Sequence, residues 1–562
     1  MRHASIEGPT LNLYNNQADE TMTTRDIATE DAGIARQRGG LGAQWLRDGL
    51  GVPALQVSAA LTLTLGLGLR LFFILRFPFV AGDTKFYVEL ARNWLDHGVY
   101  GLFIAGQLIP SDMRMPGYPA FLAAIYAVFG RTGMAVMVVQ AVVDLATCVL
   151  VALMAARLAP ASKRAAAATA GLWIAALCPF TANYTAALLT EVLATFLTTL
   201  ALVIFVFVLG DASMERPLQS LERRELLKWA GWFLLGGLVV GVGTLVRPET
   251  PLVLAAFALI LSVRWRRRAD WPKLALAGLW MAVGLLAALT PWAVRNARTM
   301  GRVEFLAPRY AESGGDFIPR GFFAWTGTWM VRLRDAYLVP WKLRKGAIRV
   351  ETLPQSAFDS DEERARVAEL LERYNRDLQM TPVLDHEFAK LAQERTARRP
   401  LRTYLFIPIE RMGAMWFTPR VELLPYSGNL WPPGEKWRGN RMDFGVTAGF
   451  GLLGLLYAGL ALGGRVALAR GAGSGATIDV PRDSHGVLDA VADGGTAVRA
   501  GLLPRDIGAG RAGAGETRGR GALPATAQPG KMEASAGGAC GRHPPGVKWR
   551  DPQPGTSHMA AT

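Results

Sequence analysis

Cysteine is scarce, with three residues in a chain of 562. Cys148 and Cys178 lie inside apolar runs and Cys540 stands far downstream, so neither a disulfide framework nor a thiolate metal site organises the chain. The six histidines are scattered without ligand spacing, and no zinc motif is present. Charged residues make up only 19% of the chain, against about 25% in ordinary soluble domains. No glycine-rich phosphate loop follows a strand pattern. The one dense glycine cluster, "GGLVVGVG" at 236–243, sits inside an apolar run, where such spacing serves close helix packing.

Apolar residues, in contrast, make up 51% of the chain, many of them in uninterrupted runs near the length of a membrane-spanning helix. Eight such spans are predicted, at 55–74, 134–156, 165–180, 186–209, 229–246, 251–263, 274–292 and 444–463. The apolar stretch 116–130 opens with two prolines and is short for a span; it suits an interfacial helix. The net charge of +15 does not point to nucleic acid. The bases gather in short loops beside apolar runs (Arg157, Lys163, Arg164; Arg223, Arg224, Lys228; Arg264, Arg266, Arg267, Arg268), where they act as orientation signals. If 116–130 does not cross, all three loops fall on the cytoplasmic side. Both termini are then cytoplasmic, and two polar segments face outward: the loop 76–133 and a soluble region at 293–442.

The expected organisation is therefore an all-α polytopic membrane protein. It has a disordered cytoplasmic tail at 1–53, a multi-span module at 54–292, the outer soluble region at 293–442, a last span at 443–464 and a disordered tail at 465–562. That tail, rich in Gly, Ala, Arg and Pro, buries no core; a genuine short subtype and a frameshifted reading both account for it. Within the outer region, "SDEERARVAELLERYNRDL" opens with Ser360 and Glu363 at capping-box spacing and aligns Val367, Leu370, Leu371, Tyr374 and Leu378 on one helical face.

This topology brings distant ionisable residues to one depth. Asp83 lies just past the outer end of the first span and Arg114 ends the same loop. Glu191 falls about a turn and a half into the fourth span, Arg247 and Glu249 flank Pro248 at an outer turn, and Arg295 follows the outer end of the seventh span. Ionisable groups in or beside spans are costly and are functional candidates by default. Bland readings stand beside that one. Asp83 can cap the helix that follows it, Arg114 and Arg295 can snorkel, and Glu191, Arg247 and Glu249 can pair structurally. Asp144, deep in a span, is expected to hydrogen-bond Gln140 or a neighbouring helix.

The succession "GDTKFYVELARNWLDHGVYG", "RMPGYPAFLAAIYAVFG", "VVQAVVDLATCVLVALMAARL", "LLTEVLATFLTTLAL", "VRPE" and "PWAVRN" resembles the membrane-embedded glycosyltransferases of the C-type (GT-C) fold, in the bacterial branch related to protein O-mannosyltransferases and the aminoarabinose transferase of lipid A. The similarity covers 55–296 and, more loosely, "RRPLRTYLFIPIERMGAMW". It implies a helical bundle with outer-face juxtamembrane helices in a cytoplasmic (inner) membrane and an active site on the outer face. It also implies an inverting transfer of sugar from a polyprenyl-phosphate carrier to a hydroxyl of an envelope glycan, glycolipid or protein. By the same resemblance Asp83 is the catalytic base, Arg114, Arg295 and Arg247 hold the donor phosphate, and Glu191, Glu249 and Tyr87 support the acceptor or a metal. No cofactor is required, although a divalent cation is compatible with the carboxylates. Two other readings stay open, a transporter or flippase of lipid-linked sugars and an inactive membrane scaffold. The chain departs from its look-alikes in having a single span after the outer region, where many of them have several.

Overall fold

The computed structural model describes residues 53–80, 82–308 and 317–473; the two expected tails lie outside the described residues, apart from Pro53 and the stretch up to Gly473. Helices dominate. The bundle is built from α1 (Pro53–Arg76), α2 (Thr84–His97), the strands β1 (Gly101–Ile104) and β2 (Gln107–Pro110), α3 (Gly117–Phe129), α4 (Gly133–Leu158), α5 (Arg164–Ala176), the short α6 (Pro179–Ala182), α7 (Glu191–Leu209), α8 (Arg223–Val246), α9 (Leu252–Arg264) and α10 (Trp271–Met300). The second polar region contributes α11 (Arg320–Gly327), α12 (Leu333–Leu338), α13 (Asp361–Asp377), α14 (Pro382–Arg398), α15 (Ile407–Phe417) and α16 (Pro433–Gly439), and α17 (Arg441–Gly473) follows.

Among the described residues six helices are long and apolar enough to cross a membrane, and a seventh candidate is the α5–α6 pair, bent by 46°. The chain is a multi-pass membrane protein. Three expected spans come out differently. The run 165–180 is broken, because Pro179 lacks the amide that would continue α5 and Cys178 is extended. The run 186–209 becomes helical only at Glu191, so Glu191 is the first residue of α7 rather than a turn and a half inside it. The run 251–263 forms a helix of 13 residues, below spanning length. Even so, its flanks are level with those of α8: Trp265 stacks on Trp229 at 6.0 Å and Glu249 pairs with Arg247. Likewise α10 continues to Met300, which places Arg295 within the helix rather than beyond it.

The glycines of the apolar cluster do pack helices closely. A Cβ on Gly237 would lie 2.2 Å from the Met281 carbonyl oxygen, and one on Gly284 2.2 Å from that of Leu234, so α8 and α10 touch through their backbones. One hairpin interrupts the otherwise helical fold. β1 and β2 pair antiparallel from Gly101↔Pro110 to Ile104↔Gln107, with Ala105 and Gly106 at positive φ in the two-residue turn. The end of the bundle that carries this hairpin is called the hairpin face below.

The region from α11 to α14 has its own core around Trp325, Trp329, Leu371, Tyr374 and Phe388. Helix α13 buries Val367, Leu370, Leu371 and Tyr374 as its periodicity predicts, and the Ser360 side chain accepts from the Glu363 amide. The Glu363 carboxylate does not return to the cap; it pairs with Arg395 and Arg398. Arg395, fully buried, also donates to Thr328 Oγ1 at 2.8 Å and to the carbonyls of Ser356 and Ala357.

Inside the bundle, Asp144 bonds a neighbouring helix, as expected, and not Gln140: its partner is Arg70, a charged residue in the first span. Arg70 Nε and Nη2 donate to Asp144 Oδ2 at 2.9 and 2.6 Å. Its Nη1 donates to the carbonyls of Gly66 and Ala176, both at 2.7 Å. The Ala176 carbonyl is one that the break before Pro179 releases, so this guanidinium ties α1, α4 and the end of α5 together. Removing one partner of a buried pair leaves an uncompensated charge, at a cost of about 3–5 kcal/mol. Arg70→Met should therefore lower thermal stability in detergent severely, and Arg70→Met with Asp144→Leu should recover most of the loss. Equal destabilisation by the single and double variants would contradict the pairing.

Candidate functional site

The site at the hairpin face begins with the unwound stretch between α6 and α7. Residues 183–190 form a 3-10 turn and then extended chain, and carbonyls that a helix would have paired are left free in an apolar setting. Each finds a donor. Phe79 N–H donates to Ala186 O at 2.9 Å, Thr84 Oγ1 to Leu188 O at 3.1 Å, and Gln140 Nε2 to Thr185 O at 3.2 Å and Ala187 O at 2.8 Å. Tyr118 donates its hydroxyl to Gln140 Oε1 at 2.7 Å. These bonds dock the segment after α1, which leads to Asp83, alongside the segment leading to Glu191.

The Pro-Gly-Tyr-Pro knot supplies a second constraint. A Cβ on Gly117 would lie 2.6 Å from the Leu245 carbonyl oxygen, so only glycine lets the start of α3 rest on the end of α8. That contact brings the chain just after Arg114 to the turn that carries Arg247.

Two ion-paired groups result. Arg114 Nη2 donates to Asp83 Oδ1 at 2.8 Å, with its guanidinium 5.4 Å from the Phe86 ring centre. Arg247 donates from Nε to Glu249 Oε1 at 2.9 Å and from Nη1 to Glu191 Oε1 and Thr190 Oγ1, both at 3.2 Å. Asp83 occupies the N-cap position of α2, yet its side chain makes no capping bond; it is spent on Arg114. Asp83 is half exposed, at 52%, whereas Glu191 and Glu249 are 28% and 27% exposed; the two guanidinium groups, at 21% and 19%, are alike. The Asp83 carboxylate is thus the most open of the three.

Tyr87 stands between the two groups. Burial pushes its hydroxyl up to about 12, helped by Asp83 and Glu191 and opposed by Arg114 and Arg247. Its ring meets Tyr118 edge-on at 5.1 Å. Burial draws the Arg247 guanidinium down, but Glu191 and Glu249 outweigh it and leave the group above its ordinary value. The Arg247 group is therefore a fixed charge cluster. Three carboxylates, Asp83, Glu191 and Glu249, are thus shared between two guanidinium groups. Among the described residues no group of three or more His, Cys, Asp or Glu side chains is arranged to hold a metal ion.

Of the residues singled out from the sequence, Asp83, Tyr87, Arg114, Glu191, Arg247 and Glu249 come together. Arg295 does not join them. Its Nη1 donates to Ser111 O and Asn296 Oδ1, both at 2.9 Å, and its Nη2 donates to Tyr100 O at 2.6 Å. Three residues that shape the site were not anticipated as parts of it. Thr190 carries no charge, Gln140 stands in the sequence only as a polar partner for Asp144, and Tyr100 lies in the first of the resembling motifs without a role assigned to it.

Tyr87→Phe offers a direct check on the electrostatics. The difference between the wild-type and variant phenolate absorbance titrations should have its midpoint near 12, not at the free value of about 10. A midpoint at the free value would mean that Tyr87 is neither buried nor placed between the carboxylates.

Comparison of the chain with protein-family models, with curated proteins and with solved structures finds no match in any of the three.

Proposed function

We propose that this chain is an inverting glycosyltransferase of the C-type membrane fold, taking its sugar from a polyprenyl-phosphate carrier and delivering it to a hydroxyl of an envelope glycan, glycolipid or protein. The observation that carries the reading is the convergence of Asp83–Arg114, Tyr87 and Glu191–Arg247–Glu249 at one end of an apolar bundle. The motifs that bring them there are those on which the family resemblance rests.

The chemistry asks for two things that this site can supply. The acceptor oxygen attacks the anomeric carbon, its proton passing to a carboxylate as the bond to the carrier phosphate breaks and the electron pair leaves with that phosphate. Asp83, the exposed carboxylate, suits the base. Arg114 suits the leaving phosphate, through charge-assisted hydrogen bonds that strengthen as charge develops there.

The resting ion pair links the two roles. A phosphate gains Arg114 by displacing Asp83, and the displaced carboxylate is then free to accept the acceptor proton. Arg247, already held by two carboxylates, suits a frame for Glu191 and the start of α7 better than it suits a phosphate ligand. In this reading the hairpin face is the outer face of the cytoplasmic membrane.

One feature favours a transporter of lipid-linked sugars, namely the broken α5–α6 span. Its unwound segment lies level with Phe79 and Thr84 at the hairpin face, however, and transporters unwind their helices near the midplane. The test uses membranes carrying the wild type or Asp83→Asn with a panel of labelled polyprenyl-phosphate sugars. The wild type should consume one donor and release the free carrier phosphate, and the variant should do so roughly 10²–10⁴-fold more slowly at equal expression. Equal turnover by the two would remove Asp83 as the base. Movement of a donor across the bilayer without release of carrier phosphate would favour the transporter.

A further inference from the structure

The final turns of α10 and the loop after it hold the hairpin segment at several separate points. Arg295 bonds the carbonyls of Tyr100 and Ser111, one on each side of the hairpin. Its guanidinium lies 5.4 Å from the Tyr100 ring centre and 5.1 Å from that of Trp292. Asp112, buried at 5% exposure, pairs with Arg302 at 2.5 Å, and the Ala307 amide reaches Met115 Sδ at 3.0 Å. Beneath them Leu90, Tyr100, Leu102, Met115 and Trp292 form a small core of their own.

This clamp has an output. The Tyr100 hydroxyl donates to the Arg114 carbonyl at 2.9 Å and lies 3.3 Å from that of Met115. Tyr100 therefore links the guanidinium of Arg295 to the backbone that carries Arg114. Both terminal nitrogens of Arg295 are occupied by protein acceptors, and its guanidinium lies against two rings that meet edge-on at 5.3 Å.

We propose that Arg295 and Tyr100 are positioning residues: they fix the segment after β2 that presents Arg114, and Arg295 does not itself hold the donor phosphate. The inference rests on the glycosyltransferase reading for its functional half. The mechanical half, that Arg295 and Tyr100 fix residues 108–116, stands apart from any substrate.

The test uses the full chain in lipid nanodiscs, with hydrogen exchange of peptides covering 108–116 and titration of decaprenyl phosphate as the probe. Tyr100→Phe keeps every charge and removes one hydrogen bond, while Arg295→Gln removes the clamp. Tyr100→Phe should raise exchange across 108–116 by roughly threefold to tenfold, the worth of one net hydrogen bond, and Arg295→Gln, which removes two, by at least as much. Each should weaken decaprenyl phosphate binding by a similar factor. With Arg114→Ala already in place, neither should weaken binding further, because positioning acts only through Arg114.

Unchanged exchange at 108–116 in Arg295→Gln overturns the proposal. So does a loss of affinity in Arg295→Gln that persists in the Arg114→Ala background, which would make Arg295 a direct ligand. If the wild type binds no decaprenyl phosphate, the glycosyltransferase reading falls, and the exchange measurement alone decides whether the clamp exists.

Discussion

Backbone carbonyls freed inside an apolar layer must find donors, and the chain between Ala176 and Glu191 releases several of them. Arg70 takes Ala176, Gln140 takes Thr185 and Ala187, the Phe79 amide takes Ala186 and the Thr84 hydroxyl takes Leu188. The donors come from α1, from α4 and from the stretch that leads into α2. Pairing the broken span therefore also fixes where α2 begins, and with it Asp83 and Tyr87, relative to the first turn of α7. The polar residues in these spans serve this requirement before any chemistry is considered.

From this arrangement follows an inequality between the arginines that the resemblance treats alike. Arg114 holds one exposed carboxylate. Arg247 holds two that are less exposed, and Arg295 is spent on backbone carbonyls. Under the proposed function only the first trades a protein anion for an incoming one. The others build the frame, Arg247 at the start of α7 and Arg295 beneath the hairpin. In the proposed reaction the same division assigns the carboxylates, with Asp83 released by exchange while Glu191 and Glu249 stay bound.

Much of this was legible in the sequence because membrane spans are written in composition. Apolar runs located the helices, the placement of bases set a topology, and that topology brought Asp83, Arg114, Glu191, Arg247 and Glu249 to one depth. The capping serine and apolar face of α13 were equally plain. What escaped has physical causes. Only residues 186–189 continue the apolar run of α7 back beyond Glu191, which is why the predicted span begins at 186; Pro179 and the polar Asn183, Tyr184 and Thr185 are what hint at the unwinding. Arg70 lies so near the end of the first span that it passes for a snorkelling base, and its partner Asp144 is remote in sequence. The clamp on the hairpin works largely through backbone carbonyls, which are the same at every residue and leave no trace in side-chain patterns.

The central claim is that a lipid-borne phosphate sits at the hairpin face, against Arg114. Photocrosslinking with a polyprenyl phosphate that carries a photoreactive group beside its phosphate, followed by mass-spectrometric mapping, tests it without knowing the sugar. The account predicts adducts in peptides containing residues 83–92, 111–118 and 184–191, diminished by Arg114→Ala and by competing unlabelled carrier. Adducts confined to the opposite end of the bundle, around Trp229, Trp265 and Lys273, would contradict it.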